Sequence, residues 1–146
     1  MKVSVIGATG YTGEELVKIL LGHPGVELGS ITSQSFAGKR ISEVYPYLDT
    51  DLTLEEVDLD RISSESILIF VALPHSASME VVGKLCSKGK KVIDLSADFR
   101  ITDPGIYEKW YKATHTRKEL LKEAVYGLPE IYREKTYPEH SLSGDK

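Results

Sequence analysis

Residues 2–21 read Lys2-Val3-Ser4-Val5-Ile6-Gly7-Ala8-Thr9-Gly10-Tyr11-Thr12-Gly13-Glu14-Glu15-Leu16-Val17-Lys18-Ile19-Leu20-Leu21. The fold turns on how this stretch changes character twice. Val3, Val5 and Ile6 mark a short β-branched run that fits a buried strand. Gly7, Gly10 and Gly13 break it. From Glu14 the pattern becomes helical, with Leu16, Ile19 and Leu20 on one face and both glutamates in the first turn, where the helix dipole favours them. Gly22-His23-Pro24-Gly25 stops the helix, and Val26 to Ile31 supply a second strand. Strand, helix, strand is a βαβ unit, whose strands are parallel and whose crossover is right-handed.

The same alternation continues downstream. Ser33 to Lys39 form a small-residue loop, Tyr45-Pro46-Tyr47 another, and Leu52 to Leu54 a short strand. Ile67 to Leu73 are uninterruptedly apolar, like strands that parallel sheets bury on both faces. Ser76 to Ser87 read as a helix whose apolar face includes Val82, Leu85 and Cys86, and Lys91 to Leu95 as the next strand. Strands alternating with helices predict an α/β, Rossmann-like, doubly wound and mostly parallel sheet with helices on both faces. Beyond Leu95 the sequence predicts a short aromatic helix over Ile106 to Tyr111 after Pro104-Gly105, and another over Lys118 to Val125. Tyr126-Gly127-Leu128-Pro129-Glu130 reads as a turn. The expected domain spans 1–134, and 135–146 reads as a polar tail or a truncation point.

Composition narrows the function classes. The 146 residues are 41% hydrophobic and 27% charged, which suits one globular domain with a real core and not a disordered chain. Eighteen Lys and Arg against 22 Asp and Glu leave a net charge of −4, a balance that calls for neither nucleic acid nor a membrane as partner. The single cysteine, Cys86, excludes an internal disulfide and fits a reducing compartment. No apolar run approaches the roughly 18 residues of a membrane span and no signal-peptide pattern precedes the first strand, so the expected location is cytoplasmic. The four histidines (23, 75, 115 and 140) have no metal-holding spacing, and no metal is expected.

The chemistry sits in the breaks between strands and helices. Gly7-x-x-Gly10-x-x-Gly13 lies between a strand and a helix, the setting in which glycines let the backbone turn and approach a pyrophosphate at a helix N-terminus. A tight turn without a ligand is the alternative. NAD-preferring domains place an acid roughly 20 residues beyond the glycines to bind the ribose 2′-hydroxyl. Here the chain reads Thr32-Ser33-Gln34-Ser35-Phe36-Ala37-Gly38-Lys39-Arg40, with hydroxyls and two cations but no acid. That suits the 2′-phosphate of NADP, with Ser33, Ser35 and Lys39 or Arg40 as partners; a solvated loop is the alternative. Leu73-Pro74-His75-Ser76 and Ser96-Ala97-Asp98-Phe99-Arg100 follow strands, at the edge where open α/β sheets bind ligands. Arg100 suits a phosphate or carboxylate, or else pairs with Asp98 or Asp103 to stiffen its loop. Cys86, beside Leu85 and one turn after Val82, reads as a buried, unreactive helical thiol.

Together these segments resemble one family, the N-acetyl-gamma-glutamyl-phosphate reductases of arginine biosynthesis. The residues that carry the resemblance are Gly7–Gly13 with Glu15-Leu16, Thr32-Ser33-x-Ser35-x-Ala37-Gly38-Lys39, Ala72-Leu73-Pro74-His75, Asp94 to Arg100, and Tyr126 to Glu130. The first two segments occur also in aspartate-semialdehyde dehydrogenases. The resemblance implies an NADPH-dependent reduction of an acyl phosphate to an aldehyde with release of phosphate, in a homo-oligomeric full-length parent. It implies cofactor contacts at Gly7, Thr9, Gly10, Tyr11, Thr12, Gly13, Ser33, Ser35, Lys39, Leu73, Pro74 and Ser96, and a substrate contact at Arg100. The family's nucleophilic cysteine lies in an Asn-Pro-Gly-Cys segment that this sequence does not contain. Its histidine base and catalytic domain are likewise missing, so the chain alone is expected to be inactive, with no catalytic residue of its own. Gln34 stands where the family often carries arginine. The rival readings are the lysine-biosynthetic aminoadipyl-phosphate reductase and a non-catalytic NADP-binding module.

Overall fold

The computed structural model describes residues 1–136. By its internal contacts the chain divides into two units, the first over Met1–Ser96 and the second from Ala97 onward. The first holds the whole sheet.

Five parallel strands run in the order β3-β2-β1-β4-β5, with β1 at Lys2–Ile6, β2 at Glu27–Thr32, β3 at Leu54–Glu55, β4 at Leu68–Val71 and β5 at Lys91–Asp94. Four helices connect them: α1 (Tyr11–Leu21), α2 (Ile41–Val44), α3 (Leu59–Glu65) and α4 (Ser78–Ser87). The chain builds outward from β1 through β2 to β3, then returns to the other side of β1 for β4 and β5. That reversal places a switch point at the carboxyl ends of β1 and β4, where open α/β sheets bind their ligands. The doubly wound parallel sheet expected from the sequence is therefore the fold.

β1 is central because its apolar side chains are needed on both faces. Val3, Val5 and Ile6 are all fully buried. Val3 and Val5 join Val17 and Leu20 of α1, Ile31 of β2, Ile41 of α2 and Leu54 of β3 in one core cluster. On β4, Ile69 and Val71 are buried, and α4 contributes Met79, Val82 and Leu85. Burying each such side chain is worth roughly 1.5–3 kcal/mol. At Ser4 the β1–β2 register shifts, and the Ser4 hydroxyl accepts the Ser30 N–H at 3.1 Å while meeting the Ser66 hydroxyl at 2.7 Å. A side chain thus satisfies a backbone donor near the bulge.

Several expectations need correction. The helix after the glycines begins at Tyr11, inside the loop, with Gly10 as its N-cap. Its buried stripe is Gly13, Val17 and Leu20 with Leu16 half-buried, whereas Ile19 is 63% exposed. At about 100° per residue Ile19 lies roughly 200° around from Val17. α2 and α3 were not expected at all. α3 is started by Asp58, whose carboxylate accepts the N–H groups of Asp60 and Arg61 at 3.1 and 3.0 Å. The short third strand is Leu54–Glu55 rather than 52–54. α4 begins at Ser78, two residues late, because Ser76 has φ of +68° and cannot belong to a right-handed helix. Val82 and Leu85 are buried as expected, but Cys86 is only half-buried, one position off that stripe.

The second unit carries α5 (Pro104–Tyr111), a 3₁₀ turn (Lys118–Lys122) and α6 (Pro129–Thr136), which is kinked at Tyr132. Asp103 caps α5 by accepting the Ile106 N–H at 3.0 Å, with Pro104 opening the helix. Its interior is a polar knot. The buried Tyr107 hydroxyl donates to Asp98 Oδ1 at 2.6 Å. His115 Nδ1 accepts the Arg117 N–H at 3.2 Å, so its Nε2 is the donor to the Asp98 carbonyl at 2.8 Å. The helix expected over 118–125 contracts to the 3₁₀ turn. The turn expected over 126–130 ends at Leu128, because Pro129 opens α6 in the first-turn position that proline tolerates. Of the segment read as a tail, 137–146 lies outside the described residues.

Candidate functional site

The three glycines have three different jobs. Gly7 has φ of +88°, and a Cβ there would stand 2.5 Å from the Ala72 carbonyl oxygen, so the loop after β1 presses on the end of β4. A Cβ on Gly13 would overlap the Gly7 carbonyl oxygen and lie 2.9 Å from its carbon, which is how close α1 comes to the end of β1. Gly10 differs from both. Its φ and ψ of −80° and 162° suit any residue, and an added Cβ would meet nothing nearer than 3.8 Å. As N-cap it makes no side-chain hydrogen bond, which leaves the first N–H groups of α1 to an outside acceptor.

Hydrogen bonds tie this loop to its neighbours. Thr32, closing β2, takes the Ala8 N–H on its carbonyl at 2.8 Å and the Gly7 N–H on its hydroxyl at 3.2 Å. The Thr9 and Ser33 hydroxyls meet at 2.7 Å, and the Ser33 hydroxyl also accepts the Phe36 N–H at 3.3 Å. Tyr45, just past α2, donates its hydroxyl to the Thr9 carbonyl at 2.9 Å. Burial first, then the negative charge of Glu14 and the nearby Tyr11, raises the Tyr45 pKa above the usual phenol value, so it remains a donor through the neutral range.

The sequence-predicted residues of the first unit all lie just after strands or at the start of α1. Gly7, Thr9, Gly10, Ser33 and the Ala72-Leu73 turn are brought together by the contacts above. Tyr11 and Thr12, in the first turn of α1, are exposed beside them, Tyr11 at 95%. Ser35 and Lys39 are exposed on the loop after Ser33, with Lys39 Nζ held 5.7 Å over the Phe36 ring. Arg40 is ion-paired with Asp51 at 3.1 Å, which leaves Lys39 as the cation of that loop. Pro74 and His75 are exposed after β4. Ser96 is buried. Its hydroxyl reaches Asp94 Oδ2 at 2.6 Å and the Ser78 hydroxyl at 2.8 Å, clamping the end of β5 to the start of α4. Arg100 belongs to the second unit, exposed in a turn whose N–H reaches the Ala97 carbonyl at 3.3 Å. Sequence reasoning missed Tyr45, since nothing in its spacing announces a contact 36 residues back.

Among the described residues no group of three His, Cys, Asp or Glu side chains is gathered as a metal would require, and no helix is long and apolar enough to cross a membrane. A broad groove between α3 and α4 draws on none of the glycine loop, and its Arg61 and Lys88 are paired with Glu55 and Asp60.

Residues 2–137 match the family described as semialdehyde dehydrogenase, NAD binding domain. The N-acetyl-gamma-glutamyl-phosphate reductase of Desulforudis audaxviator is 52% identical over 136 residues, covering 92% of this chain and 39% of that protein. The reductase of that name from Pelotomaculum thermopropionicum is 53% identical over 135 residues, covering 91% and 39%. The crystal structure of aspartate semialdehyde dehydrogenase with NADP from Candida albicans superposes with a TM-score of 0.59. It covers 68% of this chain and 30% of that one at 22% identity, a likeness of fold. The chain thus spans 39% of the length of these curated relatives.

Proposed function

The chain belongs to the family of semialdehyde dehydrogenase NAD-binding domains, and on that premise we propose that it is the NADP(H)-binding part of a cytoplasmic, homo-oligomeric reductase that acts on N-acetyl-gamma-glutamyl phosphate. The observation that carries the reading is Gly10. Packing forces glycine at positions 7 and 13, but neither packing nor backbone angle forces it at position 10. A pyrophosphate laid across the open N-terminus of α1 does, because it must approach the backbone more closely than a Cβ permits.

In this reading Gly7, Thr9, Gly10, Tyr11, Thr12 and Gly13 form the pyrophosphate cradle. Ser33, Ser35 and Lys39 take the 2′-phosphate. Leu73 and Pro74 line the way to the nicotinamide, which supplies hydride when bound. Ser96 acts by position, since its hydroxyl is engaged by Asp94 and Ser78. Arg100 serves the acyl phosphate. The identity to two reductases of that name supports the substrate.

The cofactor choice is tested by calorimetric titration with NADPH and NADH. A charge-assisted hydrogen bond is worth about 1.5–3 kcal/mol, so NADPH is expected to bind at least about tenfold more tightly. Lys39→Ala and Ser35→Ala should each shrink that difference. Equal affinities in the parent would refute the 2′-phosphate assignment.

The chain alone is expected to turn over no acyl phosphate. Cys86 lies eight residues into α4, about 12 Å along the helix from its start, and is half-buried. Cys86→Ala should leave NADPH affinity unchanged. NADPH oxidation by this chain with N-acetyl-gamma-glutamyl phosphate, abolished in Cys86→Ala, would overturn the assignment of catalysis to residues outside it.

A further inference from the structure

We infer that Tyr45 is a positioning residue for the dinucleotide: its hydroxyl, bonded to the Thr9 carbonyl at 2.9 Å, holds the glycine loop in the form that receives the pyrophosphate. The inference rests on the dinucleotide reading above and deepens it by naming what pre-forms the cradle.

The argument begins with the loop's own freedom. A segment with glycines at 7, 10 and 13 loses more entropy on ordering than the same segment would with other residues at those positions. It therefore binds a rigid ligand well only if something outside it has already fixed its shape. Tyr45 is suited to do so. It follows α2 directly, its N–H bonded to the Ile41 carbonyl at 2.8 Å, and Ile41 is fully buried in the core cluster. Pro46 follows and disfavours the helical region for Tyr45, whose φ and ψ are −127° and 87°. The ring packs against the core cluster and lies 6.0 Å from that of Tyr47. The hydroxyl is thus delivered from a fixed base.

What it pins matters more than how strongly. The Thr9 carbonyl and the Gly10 N–H belong to one planar trans peptide, so fixing the oxygen fixes the direction of that N–H. The Gly10 N–H then points to the Gly7 carbonyl at 3.3 Å, and Gly10 enters α1 as its N-cap. The Thr9 side chain is held separately by Ser33 at 2.7 Å. Thr9 is gripped at both ends, its carbonyl by Tyr45 just past α2 and its hydroxyl by Ser33 just past β2. The loop after β2 carries the proposed 2′-phosphate contacts, whereas Tyr45 bonds to Thr9, in the loop proposed to meet the pyrophosphate that NADPH and NADH share. Its loss should weaken both cofactors by the same factor.

The test is Tyr45→Phe, which removes one oxygen, titrated with NADPH and NADH at a temperature where circular dichroism shows both proteins fully folded. An intramolecular hydrogen bond of ordinary strength predicts a Kd increase of about fivefold for each cofactor, with the NADPH to NADH ratio unchanged. A role in stability alone would lower the melting temperature and leave both Kd values as they were. Unchanged Kd values, a change in the ratio, or a variant that does not fold would each overturn the proposal. If the parent itself binds neither cofactor, the dinucleotide reading falls and the proposal with it, so the parent's titration separates the two failures.

Discussion

Gly10→Val is expected to abolish measurable binding of NADPH, weakening it by at least about a hundredfold, while the fold survives. The first carbon of the new side chain meets nothing nearer than 3.8 Å, and the φ and ψ at this position are those of an extended residue. The side chain instead occupies the space above the first turn of α1. A bound phosphate there would lose contact with two or more N–H groups, and charge-assisted bonds are worth about 1.5–3 kcal/mol each. Titration of the variant with NADPH, beside a thermal melt within a few degrees of the parent, checks both halves. Binding as tight as the parent's would mean that the loop holds no pyrophosphate.

Gly13→Ala should do the reverse, damaging the fold before any ligand is considered. Its new methyl would overlap the Gly7 carbonyl oxygen, which is backbone and cannot swing aside as a flexible side chain could. To make room, α1 must lift from β1 and withdraw Val17 and Leu20, both buried, from the core. Overpacking of this kind costs typically 1–3 kcal/mol and occasionally more; with backbone as the obstacle, a loss of about 3 kcal/mol is expected. Urea denaturation would register it as a lower midpoint. A midpoint equal to the parent's would show that the tight approach of α1 to β1 is not needed for stability. The pair of variants thus separates a glycine required by a ligand from one required by packing.

Periodicity explains which parts of this arrangement could be read in advance. β1 and β4 announce themselves through apolar runs, and α5 through Pro104-Gly105 followed by aromatic residues, although the helix starts at Pro104 rather than at Ile106. The sequence pattern starts α1 at Glu14, three residues inside its observed start, because Tyr11-Thr12-Gly13 has poor helix propensity, and of the three only Gly13 is buried. β3 has only two residues, too few to express a period of two. α3 buries Ile62 and Ser63, too little apolar surface to read as a stripe, so the Asp58 cap was its one local signal. The glycine loop is legible because three glycines between an apolar run and a helical period stand together in the sequence. Tyr45 was not, because its partner is brought to it by the sheet.

The strand order has a consequence for how the protein comes to exist on the ribosome. β1 emerges first, yet its second neighbour, β4, is not synthesised until residues 68–71. Every pairing in the sheet is parallel and so non-local, which makes the closing of the sheet slow relative to the growth of its helices. Gly7 is held against Ala72, so the glycine loop cannot take its final shape until that carbonyl has left the exit tunnel. A nascent chain halted anywhere between residues 13 and 72 carries all three glycines without the carbonyl that Gly7 packs against, and its apolar first strand is exposed to chaperones until the other half of the sheet arrives.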